Sequence, residues 1–136
     1  MRIKTGNNPE RGSTMILKLI FKWMPVFLWA AVIFTFSSIP QIKISQFFLW
    51  DFITKKIAHI SEYAILFTLI FRATKGNYLL SFILTILYSA SDEYHQSFIQ
   101  GRTARFYDLG FDLTGANIAS YTIWKLRQIL PAKPKK

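Results

Sequence analysis

The sequence predicts an all-α fold: a polytopic transmembrane bundle of four helices, with a short interfacial amphipathic helix between the first and the second. Two observations support this prediction. Of the 136 residues, 51% are hydrophobic and 17% are aromatic, and one small core in water could not bury so much apolar surface. The apolar residues also fall into four runs separated by short polar connections, and a helix satisfies its own backbone groups in lipid.

The first apolar run, residues 15–36, is long enough to cross a hydrocarbon core of about 30 Å. Lys18 and Lys22 lie in its first turns, from where their side chains can reach the lipid headgroups. Pro25 is expected to bend the helix. The run is longer than the apolar region of a signal peptide, and no small-residue cleavage pattern follows it. We therefore expect a retained membrane helix.

Three shorter apolar runs predict the remaining spans, at residues 57–73, 78–94 and 107–124. Gly76 and Asn77 are expected to form the turn between the second span and the third. All three runs are apolar around the whole helix, which argues against the core helices of a soluble bundle. Residues 41–56 are too short and too charged to cross a membrane. They predict the amphipathic helix at the membrane interface.

The net charge of +10 is interpreted as a signal for membrane topology, and nucleic acid is not an expected partner. Most of the 17 basic residues lie near the two ends of the chain and in the turn after the second span. Such an excess marks the cytoplasmic side of a membrane protein. We expect a basic N-terminus at residues 1–14 and a basic tail at residues 127–136, both cytoplasmic. The transmembrane domain then covers residues 15–126.

Ionisable and polar residues gather where three of the predicted spans meet the extracytoplasmic face. In chain order they are His59, Glu62, Tyr63, Asp92, Glu93, Gln96, Arg102, Arg105, Asp108 and Asp112. Spacings of three and four residues place the members of each helix on one face. A charged group at the bilayer centre costs about 2.5–3.5 kcal/mol even on a lenient scale. The acids therefore need partners, protonation or water.

Three explanations of this cluster stay open. The first is a buried ion-pair network that only holds the bundle together, with Arg102, Arg105 and Lys55 or Lys56 as the cations. The second is a binding pocket, in which the arginines hold a phosphate or a carboxylate. Its residues would be Tyr63, Gln96, Arg102, Arg105, Asp108 and Asp112. The third is proton transfer in catalysis, for which the candidates are His59, Glu62, Asp92 and Glu93.

No metal ion or other cofactor is expected. Imidazole and carboxylate groups are suitable ligands for several divalent ions, but no tight ligand motif such as H-E-x-x-H is present. The chain has no cysteine, which excludes a thiolate metal site and a thiol nucleophile. His95 lies one residue from the face of Asp92 and Gln96 and is expected to be exposed.

Two stretches of the chain resemble the VanZ-like family of bacterial membrane proteins. They are Lys56-x-x-His59-x-x-Glu62-Tyr63 and Ser91-Asp92-Glu93-x-x-Gln96-x-Phe98-x-x-Gly101-Arg102, followed by Asp108, Asp112 and Gly115. Ser37-Ser38-Ile39-Pro40 also resembles the start of the family's pattern. Gln100 departs from the pattern, because proline is expected before Gly101-Arg102.

The resemblance implies a multi-pass protein of the bacterial cytoplasmic membrane. The family is named for a member linked to resistance to the glycopeptide antibiotic teicoplanin. We therefore expect a cell-envelope protein whose outward-facing pocket binds an envelope lipid, a lipid-linked precursor or a lipophilic glycopeptide antibiotic, and which lowers antibiotic susceptibility. The alternative is a membrane-embedded hydrolase or transferase that acts on an envelope lipid with the same residues.

Overall fold

The structure, a computed structural model, describes residues 9–40, 48–102 and 106–130. These described residues form four α-helices and no strand. In chain order the helices are α1 at Pro9–Ser37, α2 at Phe48–Ala73, α3 at Tyr78–Gln96 and α4 at Phe106–Ile129. The all-helical class predicted from the sequence is confirmed over this part of the chain, and each predicted span lies within one helix.

Helix α1 contains the stretch Gly12–Ser37, which is long and apolar enough to cross a membrane by its length and composition. It is the one helix of the described ranges that meets this criterion, so the four-span arrangement stays a prediction. Pro25 lies inside the helix. The helix ends at Ser37, shortly before Pro40, because the residue that precedes a proline is sterically disfavoured from the α conformation.

The separate interfacial helix predicted at residues 41–56 does not form as a separate element. Residues 48–56 are the first turns of α2, which continues without a break to Ala73, and residues 41–47 lie outside the described part. No glycine or proline occurs between Phe48 and Ala73. Nothing in the local sequence therefore ends the helix where the charged segment meets the apolar one.

The turn between α2 and α3 forms where the sequence predicts it. Lys75 and Gly76 have φ angles of 58° and 85°, a left-handed conformation that glycine adopts at little cost. The Gly76 N–H donates to the carbonyl oxygen of Phe71 at 2.8 Å, which satisfies a carbonyl at the end of α2. The Asn77 side chain then accepts from the Leu80 N–H at 3.0 Å and caps the start of α3.

Helix α2 lies at the centre of the fold and contacts each of the other three helices. It runs parallel to α4, since Lys56 pairs with Asp108 near their starts and Phe71 packs against Arg127 near their ends. Gly115 permits the close approach of these two helices. A Cβ atom at this position would lie 2.1 Å from the Ile60 carbonyl oxygen, so small residues are needed at the contact.

The fully buried side chains of helix α3 are all polar, whereas several of its apolar side chains are exposed. Its buried residues are Ser81, Thr85, Ser89, Asp92 and Gln96. Leu79 and Leu87 are 72% and 62% exposed. A helix on the surface of a soluble protein has the opposite arrangement, whereas a helix in lipid can present apolar side chains to its surroundings. The outer surface of α3 therefore suits an apolar environment.

Candidate functional site

The predicted polar residues that the structure describes lie at the end of the bundle where α1 and α3 end and α2 and α4 begin. They form two hydrogen-bonded groups. The Asp92 network consists of Ser37, Tyr63, Asp92 and Gln96, and the Asp112 network consists of His59, Ser89 and Asp112. The two networks lie side by side, since His59 and Tyr63 are one turn apart on α2 and their rings stack with centroids 6.5 Å apart.

The Asp92 network is fully buried and joins three helices. One carboxylate oxygen of Asp92, Oδ2, accepts hydrogen bonds from the Ser37 hydroxyl at 2.8 Å, the Gln96 amide at 2.8 Å and the Tyr63 hydroxyl at 3.3 Å. Each of these four side chains is buried. Three neutral donors thus stabilise a carboxylate in a site of low dielectric, where an unpaired acid would be costly.

Arg102 connects this network to the end of α1. Its Nη1 donates to the Gln96 side-chain oxygen at 3.0 Å, and its Nη2 and Nε donate to the backbone carbonyls of Phe36 and Ile39 at 2.8 and 3.3 Å. Partial burial lowers the pKa of the Arg102 guanidinium, and the nearby carboxylates of Asp92 and Glu62 oppose that shift. The group stays protonated at neutral pH and satisfies carbonyls at the α1 terminus.

The Asp112 network is organised around a histidine. The Nδ1 atom of His59 lies 3.1 Å from one Asp112 oxygen, and the Ser89 hydroxyl donates to the other at 2.5 Å. Because a carboxylate can only accept, the histidine carries a proton on Nδ1. The neutral ring then has Nε2 unprotonated and able to accept a proton. Asp112 is buried, whereas His59 is half-buried.

Lys56 and Asp108 form an ion pair beside the Asp112 network. The Lys56 ammonium also lies over three aromatic rings, with centroids 4.9 Å away for Phe111 and 5.5 Å away for both Phe52 and Tyr107. Cation–π contacts of this kind stabilise a partly desolvated ammonium. Asp108 therefore has a cationic partner within the protein, and its ligand-binding role stays a prediction.

A cavity of about 510 Å³ opens between the end of α1 and the first half of α2. Its charged and polar lining residues are Ser37, Lys55, His59, Glu62 and Arg102. Its apolar lining residues are Phe36, Ile39, Pro40 and Ala58. Volumes of several hundred cubic ångströms are typical of small-molecule sites. The cavity lining thus combines apolar side chains with both signs of charge.

The chain was compared with known proteins. The model of the VanZ/LLP1 family matches residues 2–128, nearly the whole sequence. The chain belongs to the VanZ/LLP1 family. This confirms the resemblance found in the motifs. Family membership and the apolar helix α1 together indicate that this VanZ/LLP1 protein is a membrane protein. No curated protein and no solved structure matches it.

The structure separates the predicted site residues of this VanZ/LLP1 protein into groups. His59, Glu62 and Arg102 line the cavity, whereas Tyr63, Asp92 and Gln96 are buried behind it. Asp112 does not line the cavity but contacts the His59 ring through Nδ1. Glu93 is half-buried on α3 and is not part of the cavity lining. Arg105 lies outside the described residues.

One explanation of the cluster has arginine and lysine as the countercharge for the acids, and Lys56 has this role for Asp108. Asp92 has hydroxyl and amide partners instead, because Ser37 and Tyr63 lie closer to it than any described cation. Ser37 and Ser89 were not selected from the sequence as members of the cluster. Serine is common in apolar helices, where it often bonds its own backbone, so its identity alone gives no signal.

His95 is half-buried, although the sequence predicted exposure. Its ring shares a hydrogen bond of 3.0 Å with the Ser38 hydroxyl and stacks on Phe34 at 4.2 Å, which ties the end of α3 to the end of α1. Over residues 9–40, 48–102 and 106–130, no group of three or more histidine, aspartate or glutamate side chains converges as a set of metal ligands.

Proposed function

We propose that this VanZ/LLP1 protein is a cell-envelope protein whose cavity receives the polar headgroup of an amphipathic molecule. The candidates are an envelope lipid, a lipid-linked precursor or a lipophilic glycopeptide antibiotic, and binding lowers antibiotic susceptibility. The observation that carries this proposal is the lining of the cavity. Phe36 and Ile39 contribute apolar surface to the lining, and Lys55, Glu62 and Arg102 supply charges of both signs. A headgroup joined to an acyl or prenyl chain has the same two parts.

The membrane arrangement in this proposal is a four-span bundle with both termini in the cytoplasm. Two features support it. Exposed apolar side chains occur on all four helices, as at Phe27, Ile65, Leu87 and Ile118, and a lipid environment accommodates them. Basic residues cluster at the end opposite the cavity, and such clusters mark the cytoplasmic side. The cavity then faces the extracytoplasmic side.

A pair of bulky substitutions tests the proposal. Ala58→Phe places a ring in the cavity, whereas Ala90→Phe places the same ring on an exposed position of α3 outside the cavity lining. We expect the first variant to lose co-purifying envelope lipid and the teicoplanin tolerance of expressing cells, while the second retains both. Equal membrane abundance of the two variants is the control. Unchanged lipid binding and tolerance in Ala58→Phe would contradict the proposal.

A second candidate function is hydrolysis or group transfer on an envelope lipid, and the His59–Asp112 pair favours it. Asp112 orients the histidine ring from one side, and the ring lines the cavity on the other. In this reaction, Nε2 takes a proton from water or a hydroxyl group as its oxygen attacks an ester carbon or a phosphorus atom. The same proton then passes to the leaving alcohol.

Lipid mass profiling separates the two candidates. Cells with and without the protein are compared, together with cells that carry Asp112→Asn, which keeps the shape of the side chain but removes its charge. Catalysis predicts that one lipid species appears or disappears in cells with the wild-type protein. In cells with Asp112→Asn, the amount of that species should be the same as in cells without the protein. A constant lipid profile together with measurable headgroup binding supports recognition alone.

A further inference from the structure

We propose that the cavity selects headgroups that carry both a phosphodiester and a primary ammonium group, the chemistry of an aminophospholipid. This inference rests on the proposed function, because it assumes that a headgroup occupies the cavity. It narrows the ligand from amphipathic molecules in general to those with one anionic and one cationic group. The charged side chains of the cavity lining carry the inference.

Glu62 is the acid of the cavity lining that a cationic group of the ligand would pair with. Its carboxylate lines the cavity and is half-buried, yet no hydrogen bond or ion pair from another described residue ends on it. The neighbouring acids differ in this respect, since Asp92, Asp108 and Asp112 each have a side-chain partner. A partly buried carboxylate gains most from a donor that is itself charged. A primary ammonium offers three N–H donors for that purpose.

Lys55 and Arg102 are the cationic residues of the cavity lining, and a phosphate is the anion that would lie near them. Both line the same cavity as Glu62. Three hydrogen bonds join the Arg102 guanidinium to described acceptors, and such a group has five N–H donors. Lys55 lies two helical turns from Glu62 on α2, an axial rise of about 10 Å. Because both side chains are flexible, their charged groups can come closer together than this. A phosphate near the two cations therefore lies within one short headgroup of Glu62.

The mixture of charges excludes the simpler headgroups as preferred ligands. A phosphate headgroup that bears only hydroxyl groups leaves the Glu62 carboxylate next to a second negative charge. A choline headgroup has a cation but no N–H donor, so it cannot form a charge-assisted hydrogen bond to the carboxylate. We therefore expect phosphoethanolamine to bind more tightly than phosphoglycerol or phosphocholine on the same acyl chains.

Headgroup selectivity is measured with the full-length protein purified in detergent. Short-chain phosphatidylethanolamine, phosphatidylglycerol and phosphatidylcholine with identical acyl chains are titrated, and binding is followed by native mass spectrometry. One charge-assisted hydrogen bond corresponds to a preference of about tenfold, which we expect for phosphatidylethanolamine over each of the other two. Glu62→Gln is expected to bring the three affinities to within about twofold of one another by removing that bond. Ser61→Ala, on the exposed face of α2 beside Glu62, is expected to behave as wild type.

The outcomes distinguish this inference from the proposed function. Equal binding of the three lipids by the wild-type protein, with loss of all binding in Ala58→Phe, overturns amine selectivity and leaves headgroup binding intact. Absence of binding, or binding that Ala58→Phe does not alter, overturns the proposed function itself. The wild-type selectivity requires no variant to fold, so a misfolded Glu62→Gln protein does not prevent the test.

Discussion

The Asp92 and Asp112 networks lie at the same end of the bundle, and each is built on an aspartate that accepts from a serine hydroxyl, but they differ in what surrounds them. In the Asp92 network every member is buried, and one carboxylate oxygen accepts from three neutral donors. In the Asp112 network the acid is buried but its partner His59 is half-buried and lines the cavity, whereas the one cavity-lining member of the Asp92 network, Ser37, is buried. The Asp92 network therefore has the properties of a structural contact between helices. The Asp112 network has those of a functional side chain, His59, that a buried acid holds in place.

This difference indicates which network stabilises the fold and which one serves the cavity. A buried acid with neutral donors on three helices fixes how those helices meet, since any shift leaves donors unsatisfied. An acid that orients a histidine toward a cavity leaves one face of the ring able to act on a ligand. Substitutions should therefore affect folding in one network and function in the other.

The largest loss of stability is predicted for Asp92→Ala. The substitution leaves the Ser37, Tyr63 and Gln96 donors buried without their acceptor, at a cost of about 3 kcal/mol or more. The matched change Asp112→Ala strands fewer donors, because His59 can turn to water in the cavity, and a cost of about 1–2 kcal/mol is expected. Thermal unfolding in detergent measures both. Equal losses would remove the distinction between the networks.

A smaller loss is predicted for Gly115→Ala, at the contact that holds the Asp112 network together. The new Cβ atom meets the Ile60 carbonyl oxygen and forces α2 and α4 apart, at a cost of about 1–3 kcal/mol. Gly110 is the control on the same helix, because a Cβ atom there has no neighbour within 4 Å. Gly110→Ala should raise stability by up to about 1 kcal/mol through helix propensity. A neutral effect at Gly115 would contradict the close helix contact.

The neighbouring lysines give a smaller and more selective contrast. Lys56→Met breaks the ion pair with Asp108 inside the aromatic cage and is predicted to cost about 1–2 kcal/mol of stability. Lys55→Met removes a cation from the cavity lining and is predicted to weaken headgroup binding, which Lys56→Met should leave unchanged. The unfolding midpoint and native mass spectrometry are measured on both variants. Loss of headgroup binding in Lys56→Met but not in Lys55→Met would contradict the proposed position of the headgroup.

The helical class and the meeting of polar residues at one end were predictable from the sequence. Apolar runs and the Gly76–Asn77 turn set the helix order, and spacings such as His59 to Glu62 placed polar groups on shared faces. The continuous start of α2 was not predicted, because a charged segment was interpreted as a separate interfacial helix. That segment contains no helix-breaking residue, so the helix continues through it into the apolar part of α2.

The division of the cluster into two networks could not be predicted. It depends on the rotation of each helix about its axis, which decides that Asp92 faces Ser37 and that Asp112 faces Ser89. Serine gives no distinctive signal in an apolar helix. The role of Arg102 at the α1 carbonyls likewise depends on where the chain after α3 returns, and sequence spacing contains no information on that path.

The most direct test of the account measures function per folded molecule in His59→Gln. Glutamine can still donate to Asp112 but cannot provide the imidazole that lines the cavity. Membrane abundance and the unfolding midpoint are measured beside headgroup binding and teicoplanin tolerance. We expect abundance and stability close to wild type together with loss of binding or tolerance. Wild-type binding and tolerance at wild-type abundance would contradict the claim that the Asp112 network serves the cavity.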